Sequence, residues 1–162
     1  MSLAILKGAA GLIVSGALLA VAFWYWQNPQ TASVTEVCDL SFTGNVHLHG
    51  IPVARTKAQQ ARGLSNRDDI GPGMLFAFDP PGNLAFWMQD TRVPLSISFL
   101  SEDGILFVIE DMTPESDEYH LSMKPAKYAL ELPRGQFQSN GLSVGSRLLK
   151  EECRPVDLTP TA

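Results

Sequence analysis

The hydrophobic pattern divides the chain into an apolar N-terminal segment and a longer part of mixed character. Residues 3–26 carry a single charge, at Lys7. As a helix they would extend about 36 Å, which is enough to cross a hydrocarbon core of about 30 Å. We therefore predict a single transmembrane helix within residues 1–26. The alternative is a signal peptide, because Ala20-Val21-Ala22 has the pattern of a cleavage site.

Groups at both ends of this segment are typical of membrane interfaces. Lys7 can extend its charge to the headgroups, and Trp24, Tyr25 and Trp26 form an aromatic belt at the other end. Positive charge precedes the segment and acidic residues follow it. By the positive-inside rule, we predict an inner-membrane protein with a cytoplasmic N-terminus and a periplasmic domain.

One face of the predicted helix carries mostly small residues at spacings of three and four. Small side chains let a second transmembrane helix approach closely, although they are also common in membrane helices in general. We predict that this face packs against other transmembrane subunits within the lipid bilayer. Its residues are Ala4, Gly8, Gly11, Ser15, Leu18 and Ala22.

After a polar linker at residues 27–37, the pattern is typical of β-strands. Leu95, Ile97 and Phe99 alternate with serines, as in a half-buried strand, and Asp103-Gly104 predicts a hairpin turn. Other strand candidates lie in residues 40–54, 74–78, 84–88, 105–109, 128–132 and 146–153. We predict a compact, mostly β barrel or sandwich over residues 38–154, with an irregular tail at residues 155–162.

A single short helix is predicted at Lys57–Arg62. Thr56 and Gln59 have the spacing of a capping box, in which each side chain bonds a backbone N–H of the first turn. Gly63 is placed to end the helix.

The two cysteines, Cys38 and Cys153, stand at opposite ends of the predicted β domain. Because the first and last strands of closed sheets often meet, we predict a disulfide between them in an oxidising compartment. Across a separation of 115 residues, the chain-entropy model gives such a bond up to about 4–5 kcal/mol. Two unpaired buried thiols are the alternative.

The charge of the chain limits its partners. With 17 acidic and 12 basic residues and a net charge of −5, it offers no basic stripe for nucleic acid. The 45% hydrophobic content argues against disorder. Seven acidic residues and no basic one lie between Glu102 and Glu118. Such a run is typical of a solvated face, and a basic partner could also dock there.

Several short motifs occur in order along the middle of the chain. They include Arg62-Gly63-Leu64, Gly73-Met74-Leu75-Phe76, Phe86-Trp87-Met88 with Thr91, and Tyr128-x-Leu130-Glu131-Leu132. Over about residues 46–150, their order and spacing resemble the DUF192 (UPF0127) family. The resemblance implies a compact, mostly β domain, often exported, and it supplies no reaction.

Two positions depart from the family's pattern. Asp90 stands where members commonly have Asn, and Ser96 stands where they commonly have Asp. If these positions form a polar site in relatives, that site is altered in this chain.

A group of charged, polar and aromatic residues within these motifs is a candidate ligand or partner site. An aromatic ring with neighbouring Arg and carboxylate groups can hold a sugar, peptide or carboxylate. The structural alternative is that Arg62 pairs with Glu131, joining the helix to the sheet, while Trp87 fills the core. The group comprises Arg62, Arg67, Trp87, Asp90, Thr91, Arg92 and Glu131.

Signals for metal, phosphate or nucleophilic chemistry are weak. His47 and His49 share one face of a predicted strand, but no third ligand has diagnostic spacing. His120 lies in an acidic region and is expected to be solvated. No G-x-S-x-G elbow and no phosphate-binding glycine loop are present. We therefore expect no metal site and no cofactor.

The leading hypothesis is a non-enzymatic accessory subunit of an inner-membrane protein complex, with respiratory or photosynthetic assemblies as plausible hosts. The first alternative is a binding module for an envelope glycan or small ligand, centred on Trp87 and Arg92. It requires an open cleft with Trp87 partly exposed. The second is a hydrolase using Asp90 or Glu131, which requires both carboxylates in one pocket with a strongly shifted pKa.

Overall fold

The structure, a computed structural model, describes residues 33–156. The predicted transmembrane segment, with its small-residue face and its interfacial anchors, lies outside the described residues. The predictions for that segment therefore stay predictions. Within residues 33–156, no helix is long and apolar enough to cross a membrane.

In this part of the chain, nine strands and two short helices follow one another. They are β1 Glu36–Phe42, β2 Val46–Ala54, α1 Lys57–Arg62, β3 Met74–Gly82, β4 Ala85–Phe86, β5 Leu95–Leu100, β6 Leu106–Met112, β7 His120–Leu121, β8 Ala126–Pro133, α2 Gln136–Ser139 and β9 Leu148–Pro155. β1 begins within the predicted linker, and the single turn of α2 was not predicted.

Seven of the strands form one sheet in the order β6-β5-β8-β3-β2-β1-β9, while β4 and β7 pair separately. Only β2 and β3 run parallel, because the connection between them crosses over through α1. A bridge between Ile105 and Arg147 joins the two ends of the sheet. The sheet therefore curls into a half-barrel, which confirms the mostly β fold with a short helix.

Both faces of this sheet are covered. Every residue of β5 is buried, with Ile97 and Phe99 in one apolar cluster and Leu100 in the other. The prediction that β5 is only half-buried is therefore wrong. Its serines do not face solvent, and Ser98 Oγ donates a hydrogen bond to the Val108 carbonyl at 2.8 Å. Ser96 and Ser98 lie opposite Leu132 and Leu130 of β8, which belong to the second apolar cluster, and this layer is one that alternation alone cannot reveal.

The predicted disulfide is present. Cys38 on β1 lies directly opposite Cys153 on β9, and their sulfur atoms are bonded. The first and last strands of the domain are thus joined both by a β-ladder and covalently.

The capping box predicted for α1 is also present. Thr56 Oγ1 accepts a hydrogen bond from the Gln59 N–H, and Gln59 Oε1 accepts one from the Thr56 N–H. Gly63 ends the helix with a φ of 46°. A Cβ at that position would stand 3.3 Å from the Phe76 ring, so glycine lets the helix end lie close to β3.

We expect Thr56→Ala to lower the free energy of unfolding by about 1 kcal/mol, because it removes an N-terminal cap from α1. Urea denaturation of the full chain measures this loss. The matched control is Thr113→Ala, at an exposed threonine outside any helix, which should leave the midpoint unchanged. Equal midpoints for the two variants would contradict the role assigned to the cap.

Candidate functional site

A cleft lies between the end of α1 and the segment that carries β4, and we call it the Trp87 cleft. Its volume is about 290 Å³, near the lower end of the range for small-molecule pockets. The cleft is lined by residues 60–65, Phe76, Phe78, residues 83–87, Thr91 and Glu131.

Glu131 is the buried ionisable group of this cleft. It lies on β8 between Met74 of β3 and Ile97 of β5, and its side chain is only 5% exposed. Burial raises the pKa of Glu131 to about 8, and no hydrogen bond or charge from the described residues offsets this effect. At neutral pH the group is therefore mostly a neutral carboxylic acid, which can donate a hydrogen bond into the cleft.

Trp87 forms a wall of the cleft and is 46% exposed. Its ring stacks on Tyr119 with centroids 5.5 Å apart and planes inclined by 14°. The structural alternative, in which Trp87 fills the core, is wrong, because the neighbouring residue occupies that place. Phe86 packs edge-to-face on Phe76 at 4.9 Å and on Phe99 at 5.8 Å. Strand alternation then directs Trp87 outward.

Arg62 ends α1 and lines the same cleft, with its side chain exposed. In the described part of the chain, no carboxylate pairs with its guanidinium group. The structural alternative, in which Arg62 pairs with Glu131, is therefore wrong. The cleft instead holds a cationic group and an acidic group that do not neutralise each other.

Two more residues of the predicted cluster lie at or beside the cleft. Thr91 is buried and lines it. Asp90 lines a neighbouring cavity of about 290 Å³, which Arg62 and Trp87 also line. The φ of Asp90 is 57°, a left-handed conformation that Asn and Asp adopt more readily than other side chains. The Asn that family members commonly have at this position can adopt the same left-handed backbone conformation.

The remaining members of the cluster lie elsewhere. Arg92 pairs with Asp68 at 2.9 Å and lies 4.0 Å from Glu115, and Arg67 lines neither cavity. The proposed centre on Trp87 and Arg92 is thus corrected to Trp87 and Arg62. Because Asp90 does not line the cavity that holds Glu131, the two-carboxylate arrangement needed for a hydrolase is not formed.

Ser96, the second departure from the family's pattern, is not part of the cleft. Its Oγ donates a hydrogen bond to Asp111 at 2.6 Å, on the neighbouring strand β6. Along β5 it alternates with Ile97, which lies directly opposite Glu131. Ser96 therefore belongs to the opposite face of the sheet. Of the two departures, only Asp90 adjoins the site.

The burial of one histidine differs from the prediction. His120 is buried rather than solvated, because β7 pairs with β4 and places it opposite Phe86. Its Nδ1 lies 2.8 Å from Glu110 Oε2. His47 and His49 are exposed, with ring centroids 6.3 Å apart.

Among residues 33–156, one group of potential metal ligands converges, consisting of Cys38, Glu151 and Cys153. The two sulfur atoms of this group form the disulfide, so neither is a free thiolate. This group therefore provides no thiolate ligands for a metal ion.

Sequence reasoning missed four aromatic residues of the site, one of which is Phe86 of β4. Phe76 and Phe78 line the cleft from β3, and Tyr119 supports Trp87 from outside it. Tyr119 directly precedes β7, and it reaches Trp87 only because that strand pairs with β4. No local pattern in the sequence marks this pairing of two-residue strands.

The comparisons with known proteins confirm the family resemblance. The model of the DUF192 family, described as an uncharacterized ACR, matches residues 40–149. No curated protein matches the chain.

Two solved structures have the same fold. One, from Sinorhizobium meliloti, bears a description that suggests a transcription regulator. It is 30% identical, with a TM-score of 0.66, over 72% of this chain and 95% of that one. The other, a protein of unknown function from Novosphingobium aromaticivorans, is 28% identical, with a TM-score of 0.63, over 70% and 84% of the two chains.

Proposed function

Because this chain belongs to the DUF192 family, for which no activity is described, we propose a function from the cleft itself: the domain binds a small polar ligand. The observation that carries this proposal is the carboxyl group of Glu131. It is buried, lacks a partner within the described residues, and borders an open cavity. The carboxyl group is poorly hydrated at this depth, and a bound ligand can supply a hydrogen bond to it.

The rest of the cleft suits a small ligand with an apolar side. Eight of its fifteen lining residues are aromatic or aliphatic, and polar side chains stand among them. Trp87 presents a half-exposed ring that Tyr119 holds in place by stacking. The ring can cover one face of a ligand while Glu131 bonds its polar end.

Motif positions also support this site. Arg62, Phe76, Trp87, Thr91 and Glu131 come from four separate motifs that carry the family resemblance, and all of them line one cavity. Because the motifs are distant in sequence, the fold is what brings these residues together.

The other functions considered have less support. The accessory-subunit hypothesis depends on residues 3–26, which lie outside the described residues, and it stays a prediction compatible with ligand binding. The regulator role suggested for the Sinorhizobium meliloti relative is not extended to this chain, whose net charge of −5 disfavours contact with phosphates.

We expect Trp87→Ala to weaken ligand binding about tenfold or more, the loss typical of an aromatic anchor. NMR titrations of the full chain measure this effect through the indole N–H signal of Trp87. The probes are D-glucose, N-acetylglucosamine, succinate and a set of free amino acids.

The matched control is Leu149→Ala, at another exposed hydrophobic residue, and it should bind as the parent protein does. The proposal is contradicted if no probe shifts the Trp87 signal at millimolar concentration. It is also contradicted if Trp87→Ala retains the affinity of the parent for the probe that binds.

A further inference from the structure

The ionisable groups of the Trp87 cleft restrict the chemistry of its ligand. Of the residues that line the cavity, only Arg62 and Glu131 are ionisable. β3 and β5, which flank Glu131, place Met74 and Ile97 beside it, and Asp90 faces the neighbouring cavity. The site thus contains one acidic and one basic group, and neither is paired with a described residue.

The surroundings of Glu131 favour a cationic group as its partner. Phe76, Phe78, Phe86 and Trp87 line the same cavity, and aromatic faces attract cations. An ionised carboxylate at this depth needs a positive charge beside it, because burial alone is unfavourable for its charged form. A ligand ammonium group, with three N–H donors, would meet both requirements.

Arg62 favours an anionic group at the other end of the ligand. Its exposed guanidinium is free of carboxylate partners in the described part of the chain. A guanidinium offers two parallel N–H donors that match the two oxygens of a carboxylate. Its place at the end of α1 puts this recognition at the edge of the cavity.

We propose that the Trp87 cleft recognises a free α-amino acid, whose ammonium group binds Glu131 and whose carboxylate binds Arg62. The inference rests on the proposed function and names the ligand class of the same site. Trp87 and the neighbouring phenylalanines then contact the apolar part of the amino acid. In this arrangement one small molecule pairs with both ionisable groups of the cleft.

Binding of this kind is coupled to the release of a proton. The pKa of free Glu131 is about 8, and a bound ammonium lowers it, so Glu131 loses its proton to the buffer. At pH 7 most of one proton should be released for each ligand bound, and the affinity should rise several-fold between pH 7 and pH 8. A neutral sugar, which can accept a hydrogen bond from the protonated acid, would release no proton.

The test is isothermal titration calorimetry on the full chain, in buffers with different ionisation enthalpies. The probes are L-alanine, L-leucine and L-phenylalanine, each with its amide, which lacks the carboxylate, and its N-acetyl derivative, which lacks the ammonium. D-glucose serves as the neutral probe. We expect binding of a free amino acid with proton release, and binding at least about tenfold weaker for its amide and its N-acetyl form.

Two substitutions test which side chain binds which end of the ligand. Glu131→Gln should abolish the proton release and the pH dependence of binding, and Arg62→Gln should weaken binding by about tenfold while leaving the proton release in place. Arg67→Gln and Glu102→Gln are the matched controls, since neither residue lines the cleft. Because Arg62 is exposed, its substitution should leave the fold intact, so a loss of binding in that variant reports on the guanidinium group.

The outcomes separate this inference from the proposed function. Binding of D-glucose without proton release, and of no amino acid, overturns the amino-acid assignment and leaves a small-ligand site. Equal affinity for an amino acid and its amide overturns it too, because the carboxylate would then have no partner. If none of the probes, the sugars included, affects the Trp87 signal, the proposed function fails as well.

Discussion

In Glu131→Gln, the free energy of unfolding at pH 7 is expected to exceed that of the parent protein by roughly 3 kcal/mol. The pKa of Glu131 is about 8 in the folded chain, against an ordinary value of 4.5. At pH 7 the unfolded chain has therefore lost a proton that the folded chain keeps. Glutamine has nearly the same shape and never ionises, so the variant avoids this cost.

The raised pKa of Glu131 also makes the stability of the folded chain depend on pH in a definite direction. Between pH 4.5 and about 8, the folded parent binds more protons than the unfolded chain. The contribution of Glu131 to stability therefore falls as the pH rises through this window and levels off above it.

Denaturant unfolding at several pH values should show this decline in the parent protein and a flatter profile in Glu131→Gln. Glu118→Gln, at an exposed acidic residue, is the control and should keep the parent's slope. Parallel profiles for the parent and Glu131→Gln would mean that Glu131 is ionised and solvated in the folded protein.

Removal of the Cys38–Cys153 disulfide should lower the free energy of unfolding by about 2–5 kcal/mol. The bond closes a loop of 115 residues, and its loss lets the unfolded chain sample many more conformations. The double variant Cys38→Ala/Cys153→Ala is preferred to serine, because Cys38 is fully buried and a hydroxyl group there would need a partner.

Guanidinium denaturation of the double variant measures this loss. The parent protein treated with a reductant is the matched control and should be destabilised to a similar extent. A loss below about 1 kcal/mol in both would show that the β1–β9 ladder holds the ends of the domain without covalent help.

The features that the sequence predicts correctly are those set by local signals or by position in the chain. The capping box of Thr56 and Gln59 acts within one helical turn, so the short helix could be identified from a few residues. The pairing of the cysteines follows from one topological rule, that the first and last strands of a curled sheet meet, and β1 and β9 obey it.

The features that it misses depend on contacts between distant segments. His120 looked solvated because acidic residues precede it, but pairing of β7 with β4 buries it. Alternation in β5 shows that the strand has an apolar face and a serine face. It does not show that other residues cover the serine face, so the serines are wrongly expected to be exposed. In both cases a layer supplied by another part of the chain decides the burial.

The candidate site shows the same division. The sequence motifs identify part of the site correctly, since Arg62, Trp87, Thr91 and Glu131 line one cavity. They do not identify the contacts within it, because charge complementarity favours an ion pair between Arg62 and Glu131 that does not form. Whether two charged side chains form an ion pair depends on how deeply the fold buries each of them. Glu131 is buried in the middle of the sheet and Arg62 is exposed, a difference that the sequence pattern does not show.

The most direct test of this account is a pH titration of the Glu131 carboxyl carbon by ¹³C NMR in the full chain. Loss of the signal in Glu131→Gln provides the assignment. We expect a midpoint near pH 8 in the free protein, shifted to lower pH when a free amino acid saturates the cleft. A midpoint near the ordinary value of 4.5 in the free protein would contradict it.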